Sequence, residues 1–202
     1  MRASALLPSD IDMMNRLLTI TEATEQDGLH IRNLTATAGV FKPVEVDCVQ
    51  ELWAAYGQQG EASGYVFLVC RNGDEQVLGY ACFGPHPLTE GTFDIYWIAV
   101  DPAARGRGIG SALLARVKDE VRQRGGRLLV VETSSTEDYA PARHLYESCG
   151  YAREALVHDF YGPGDALVIY TKPLAPGSAT SADLLRREPA LVCLPERERG
   201  LA

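Results

Sequence analysis

Six consecutive residues, Arg105-Gly106-Arg107-Gly108-Ile109-Gly110, alternate glycine with larger side chains. Glycine at every second position removes Cβ atoms that would hold a ligand off the backbone, and it opens positive φ to the chain. The run ends where a helix begins. The first amides of a helix lack intrahelical acceptors, and the helix dipole adds partial positive charge there. Such a segment is an anion cradle, most naturally for phosphate, to which Arg105 and Arg107 can add charge-assisted hydrogen bonds. Two familiar phosphate loops do not fit. A P-loop needs Gly-Lys-Ser/Thr after its spacer, and here Gly110 is followed by Ser111 with no lysine. A dinucleotide-binding turn needs a further glycine three residues after its second, and that position is Ser111.

The cradle needs a strand before it and a helix after it. Phe93 to Val100 is apolar, β-branched and aromatic, so it reads as a strand buried on both faces, stopped by Asp101-Pro102. Ile109, Leu113, Val117 and Val121 recur every fourth residue, which predicts a helix over 109–124 that ends at Gly125-Gly126. Upstream, the pattern predicts a strand over 16–21, a helix from Thr24 to about Ala38, and a helix from Pro43 to Gly57. Strands follow over 65–71 and 77–83, joined through Asn72-Gly73-Asp74. Downstream come a strand over 127–133, a helix from Pro141 to Gly150, and strands over 151–157 and 167–172 linked by residues 160–165. Residues 1–13 read as an extension, 14–174 as one domain, and 175–202 as a tail with a helical turn near 182–187.

Composition narrows the function classes. With 19 basic and 27 acidic residues the net charge is −8, which disfavours a nucleic-acid partner and favours cationic or amine ones. The five cysteines are scattered without a Cys-x-x-Cys pair, which suits a reducing cytoplasm; no cluster has metal-ligand spacing. Neither a signal peptide nor a membrane-spanning run is expected.

The loop resembles the acyl-CoA loop of the GNAT superfamily of N-acetyltransferases, Arg/Gln-x-x-Gly-x-Gly/Ala after a strand ending in a small residue and Val. Arg105, Gly108 and Gly110 fill the fixed positions, and Ala99-Val100 ends the strand. A second stretch, Ala142 to Tyr151, resembles that family's Ala-x-x-Leu/Phe-Tyr-x-x-x-Gly-Phe/Tyr motif. The resemblance covers roughly residues 14–174. It implies an α/β fold, a central mixed sheet with helices on both faces, in the order β-α-α-β-β-β-α-β-α-β-β. It also implies acetyl-CoA as co-substrate, held by the main chain of Ile98, Ala99 and Val100, by Arg105 to Ser111 (Gly106, Arg107, Gly108, Ile109 and Gly110 between them), and by the position of Tyr139. That last position is commonly Asn in the family.

Acetyl transfer to an amine needs a base for the ammonium proton, a donor for the oxyanion and a proton for the departing thiolate. The resemblance makes Tyr146 the proton donor and Asp94, at the place of the histone-acetyltransferase glutamate, the base. Glu132, His86 and a water-mediated route remain as other bases, although His86 between Pro85 and Pro87 also reads as a plain loop residue. Phe41, His158, Asp159, Phe160, Tyr161 and Asp165 are the residues expected on the acceptor side. The implied activity is acetyl transfer to a primary amine of a small molecule, amino acid or peptide, with room for a homodimer. A non-catalytic acyl-CoA-binding module of the same fold is the alternative.

Overall fold

The computed structural model describes residues 18–174; the extension 1–13, strand residues 16 and 17, and the tail with its turn at 182–187 lie outside them. One mixed sheet contains β1 (Thr19–Glu22), β2 (Val66–Arg71), β3 (Val77–Pro85), β4 (Thr92–Val100), β5 (Leu128–Ser134), β6 (Ala152–Gly162) and β7 (Asp165–Pro173), ordered β1-β2-β3-β4-β5-β7-β6. The helices are α1 (Gly28–Thr37), α2 (Pro43–Gln59), α3 (Ile109–Gln123) and α4 (Ala140–Ser148). Neighbouring strands are antiparallel except β4 and β5. The element order is the one the sequence predicts.

Each strand of the first half sends alternate residues to opposite faces. Phe67, Val69, Tyr80 and Cys82 pack with Ile31, Leu34 and Val49 of α1 and α2. Leu68, Cys70, Ala81 and Phe83 pack with Ile109, Leu113, Val117 and Val121 of α3. The helix stripe read from the sequence is therefore the buried one. Gly79 lets α3 lie close to β3, since a Cβ there would stand 3.2 Å from Ile109 Cγ2 and 3.3 Å from Leu113 Cδ1.

Several boundaries differ from the sequence expectation, each for a local reason. The helix expected from Thr24 begins as a tight turn, Glu25–Asp27, and becomes α-helical only at Gly28. Asp27 accepts from the Thr24 amide at 2.7 Å and its hydroxyl at 2.9 Å, and from Arg71 of β2 at 2.6 Å, so the turn is pinned to the sheet. The β2–β3 connection is not a tight Asn-Gly turn. Asn72 Oδ1 accepts from the amides of Asp74 and Gln76, and Glu75 takes the left-handed conformation at φ 60°. β6 runs to Gly162 rather than 157, so Phe160 and Tyr161 belong to a strand and only residues 163 and 164 form the turn. The register shifts between Val157 and Gly162, with Asp159 at φ 54° and its carboxylate accepting from the Gly164 amide.

The sheet splits between β4 and β5. β4 pairs with β5 only from Thr92 to Ile95 against Leu128 to Val131. Beyond that, β4 stays with β3 as far as Val100 opposite Gly79, while β5 stays with β7 as far as Ser134 opposite Leu167. The split coincides with a bulge: Phe83 faces Ile95 and Cys82 faces Trp97, leaving Tyr96 as the extra residue. A bulge bends its strand and re-aims its side chains. Before it, Phe93 and Ile95 face the α3 side; after it, Ile98 and Val100 do, while Tyr96 and Trp97 both face α1 and α2.

Candidate active site

The fork between β4 and β5 exposes backbone that a sheet would otherwise use. The Asp101 amide donates to Leu78 O at 2.9 Å, which sets the phase of the β3–β4 ladder. In an antiparallel pair, bonded and non-bonded positions alternate. Trp97 and Ala99 therefore bond β3, and the backbone groups of Ile98 and Val100 turn toward the fork. Of the three main-chain positions expected to meet a ligand, Ala99 is the one already engaged.

At the end of β4, Asp101 caps a short turn by accepting from the Ala103 amide at 2.8 Å. Gly106 and Gly108 then adopt φ of 76° and 77°, and a Cβ on either would meet no protein atom. That conformation favours glycine because an L side chain strains there. Gly108 is the N-cap of α3, and the Ala112 amide is the first to bond back, to Gly108 O at 2.9 Å. The amides of Gly108, Ile109, Gly110 and Ser111 are thus without intrahelical acceptors. The cradle fits an anionic pyrophosphate: free amides, an exposed approach, and the positive end of a helix.

Three residues of the predicted cradle have different work. Gly110 is helical, and a Cβ there would stand 2.9 Å from Leu145 Cδ2, so its smallness serves the approach of α4 to α3. The Arg105 guanidinium donates to Ala38 O at 2.6 Å, tying the loop to the end of α1 rather than pointing freely at an anion. Ile109 contributes its amide only, its side chain being fully buried in the core. Arg107 and Ser111 are exposed at the cradle.

Tyr146 lies on the α3 side of the fork. It is buried on α4 with its ring centroid 5.9 Å from Tyr151 and 5.7 Å from Tyr170. Burial, then the Tyr139 and Tyr170 phenols, raises its pKa well above the ordinary value, so it is protonated at neutral pH. Tyr170 spends its hydroxyl on Glu147 at 2.8 Å and Tyr80 shares a hydrogen with Thr35 at 2.7 Å. Among the described residues the Tyr146 hydroxyl has no such partner. Tyr139 behaves differently from the expectation of a cofactor contact. Its hydroxyl donates to Val40 O at 3.3 Å and Glu45 Oε1 at 3.4 Å, so it holds the α1–α2 connection.

The opposite, α1–α2 side of the fork carries acid and aromatic groups. Asp94 alternates with Phe93 and Ile95 and so shares this face with Tyr96. Its Oδ2 lies 2.7 Å from His86 Nδ1, and burial raises the Asp94 pKa against the lowering effect of that imidazole. Glu132, one residue past the last β4–β5 pair, shares the parity of the outward Val130 and is exposed. Burial and then the Glu132, Asp165 and Glu45 carboxylates raise the Tyr161 pKa. Phe41 stands edge-on to Trp97 at 5.4 Å and to Tyr139 at 6.5 Å, and Asp165 accepts from Ser134 Oγ at 2.6 Å. Of the residues expected on the acceptor side, Phe41 meets Trp97 and Tyr139, while His158 and Asp159 line a cavity of about 320 Å³ with Ser135, Arg153, Leu156 and the two neighbours of Asp165, Gly164 and Ala166. Glu45 and Trp97 escaped sequence reading, because an acid in a first helical turn and an aromatic in a strand have ordinary local explanations.

Comparison with known proteins agrees with this fold. Residues 31–151 match the model of the acetyltransferase (GNAT) family. A mycothiol acetyltransferase of Beutenbergia cavernae is 33% identical over 162 residues, 79% of this chain and 52% of the relative. The N-alpha-acetyltransferase RimI of Mycobacterium tuberculosis is 38% identical over 110 residues, 54% of this chain and 65% of the relative. The chain spans 29–52% of the length of the mycothiol acetyltransferases it matches. A crystal structure of a GNAT-family protein from Desulfovibrio desulfuricans superposes with a TM-score of 0.75 at 43% identity, covering 78% of this chain and 99% of that one.

Proposed function

The chain belongs to the acetyltransferase (GNAT) family, and on that footing we propose that it transfers the acetyl group of acetyl-CoA to a cationic primary amine. The observation that carries the acceptor class is the Glu45 carboxylate of α2, 3.4 Å from the Tyr139 hydroxyl, beside the edge-on aromatics Phe41 and Trp97, with Glu132 of β5 and Asp165 of β7 adding negative charge that Tyr161 feels. Carboxylates attract an ammonium, and aromatic faces hold it by cation–π contact.

Acetyl-CoA, when bound, supplies an activated thioester carbonyl and a thiol leaving group. The amides of Gly108 to Ser111 would hold its pyrophosphate, and the fork-facing groups of Ile98 and Val100 its pantetheine arm. A fork-facing amide such as that of Ile98 is placed to donate to the carbonyl oxygen as charge develops there. Tyr146 holds the proton that the departing sulfur takes. The groups around Asp94 draw the proton from the ammonium on the other face. Acid and base thus stand on opposite faces of the sheet, and the fork is the passage between them.

The test is a panel of amines, amino acids, peptides and aminoglycosides incubated with acetyl-CoA, reading free thiol. Release stimulated most by dicationic and polycationic amines, with an acceptor KM that rises with salt, is expected. Acetyl-CoA binding with no amine-dependent thiol release would leave the non-catalytic module as the reading. Activity confined to neutral or acidic acceptors would remove the cationic class.

A further inference from the structure

The acidic side of the fork contains a two-residue arrangement that neither residue announces alone. His86 follows β3 and Asp94 lies in β4, opposite Gly84 across the hairpin. The register brings imidazole Nδ1 to 2.7 Å from Asp94 Oδ2. Asp94 is the more enclosed partner, its side chain 18% exposed against 48% for His86. The imidazole starts from pinned backbone, since the His86 amide donates to Thr92 O at 2.8 Å and Thr89 Oγ1 donates to His86 O at 2.9 Å.

We propose that His86, oriented by Asp94, takes the proton that the acceptor ammonium must lose. The inference rests on the acetyltransferase reading above. An ionised carboxylate only accepts, so neutral His86 donates from Nδ1 and keeps its lone pair on Nε2. Asp94 is then a positioning residue: it selects the tautomer and favours the imidazolium once formed. Half-exposed His86 can hand its proton to water, which a carboxylate enclosed against Tyr96 does less readily.

The phenols and thiols near the pair do not compete at neutral pH. Burial, then Asp94, raises Tyr96; burial also raises Tyr65 and Cys82, and burial, then Glu51, raises Cys48, so all four stay neutral. Glu90, on the same turn, has its carbonyl held by Arg127 Nε at 2.7 Å, and Glu132 stands across the fork.

The proton count closes. One ammonium proton passes to His86 Nε2 and on to water, and the freed nitrogen lone pair forms the amide bond as the carbon–sulfur bond breaks. The sulfur takes the Tyr146 proton, and the second nitrogen proton restores that phenol. The net products are amide, thiol and one proton.

The experiment combines rates with a tautomer measurement. In wild type, kcat/KM for the amine should rise with pH along an acid limb, because only the neutral base works. His86→Gln should lower kcat/KM by roughly 10²–10⁴-fold, remove that limb, and recover part of the rate with added imidazole, with acetyl-CoA affinity held within about twofold. Long-range proton–nitrogen NMR of the free protein should show neutral His86 protonated at Nδ1, and Asp94→Asn should lose that preference along with much of the rate. An active His86→Gln enzyme with its limb intact, a limb removed instead by Glu132→Gln, or an Nε2–H tautomer in wild type would each overturn the proposal. A wild type that releases no thiol with any amine would overturn the acetyltransferase reading, and this inference with it.

Discussion

The cradle and the proposed acceptor mouth are built in opposite ways. The cradle is seven contiguous residues, Arg105 to Ser111, whose useful groups are backbone amides presented by two left-handed glycines. The proposed mouth uses side chains from α2, β4, β5, β6, β7 and the turns after α1 and before α4. A backbone site tolerates change in neighbouring side chains but not in φ. A side-chain site tolerates loss of one member, because several charges share the work.

The largest effect should arise between the two regions. Tyr146→Phe keeps the ring that packs on Tyr151 and Tyr170 and removes only the proton. It should lower kcat by roughly 10²–10⁴-fold with little change in acetyl-CoA KM. Because burial raises the phenol, the wild-type rate should not fall through mildly alkaline pH from loss of this proton. Near-wild-type kcat, with product release shown to be fast, would reduce Tyr146 to a packing residue.

On the cradle side, Gly108→Val places a β-branched residue at φ 77°. Left-handed conformation costs an L-residue roughly 1–2 kcal/mol, and a loop that escapes it misdirects the amides. Acetyl-CoA affinity should drop roughly 10- to 100-fold in a folded protein; unchanged affinity by calorimetry would remove the cradle assignment. Gly110→Val separates packing from binding. Its branch meets Leu145, so thermal melting should reveal roughly 1–3 kcal/mol of lost stability. A stable Gly110→Val with weakened binding would return Gly110 to the ligand.

The smallest effects belong to the mouth. Glu45→Gln, Glu132→Gln and Asp165→Asn should each raise the amine KM by only a fewfold, as exposed charge pairs are worth roughly 0.2–1 kcal/mol, and the effect should shrink in high salt. Their combination should approach the product of the three. A single substitution that abolished amine binding would mean that one acid, not the group, recognises the acceptor.

The cradle, the buried stripe of α3, the element order and the place of Tyr146 were legible because each is written in residues adjacent or one helical turn apart. Glycine spacing governs φ locally, and a period of four governs which helix face is buried. The main-chain role of Ile98 and Val100 was expected only through resemblance, and it depends on the fork. Its cause, Tyr96 left over between Ile95 and Trp97, depends on how β3 pairs with β4. The same register joins His86 to Asp94, two bases that the sequence offers only as alternatives to one another. Arg105 turned to Ala38 and Gly110 to Leu145 because tertiary neighbours supplied a carbonyl acceptor and a close-packed helix. Backbone conformation is set within a few residues, and so the sequence alone determined the left-handed glycine loop and the helix start behind it. Side-chain partnerships cross strands and helices, so the proposed acceptor mouth and proton path depend on strand register, the bulge and helix packing.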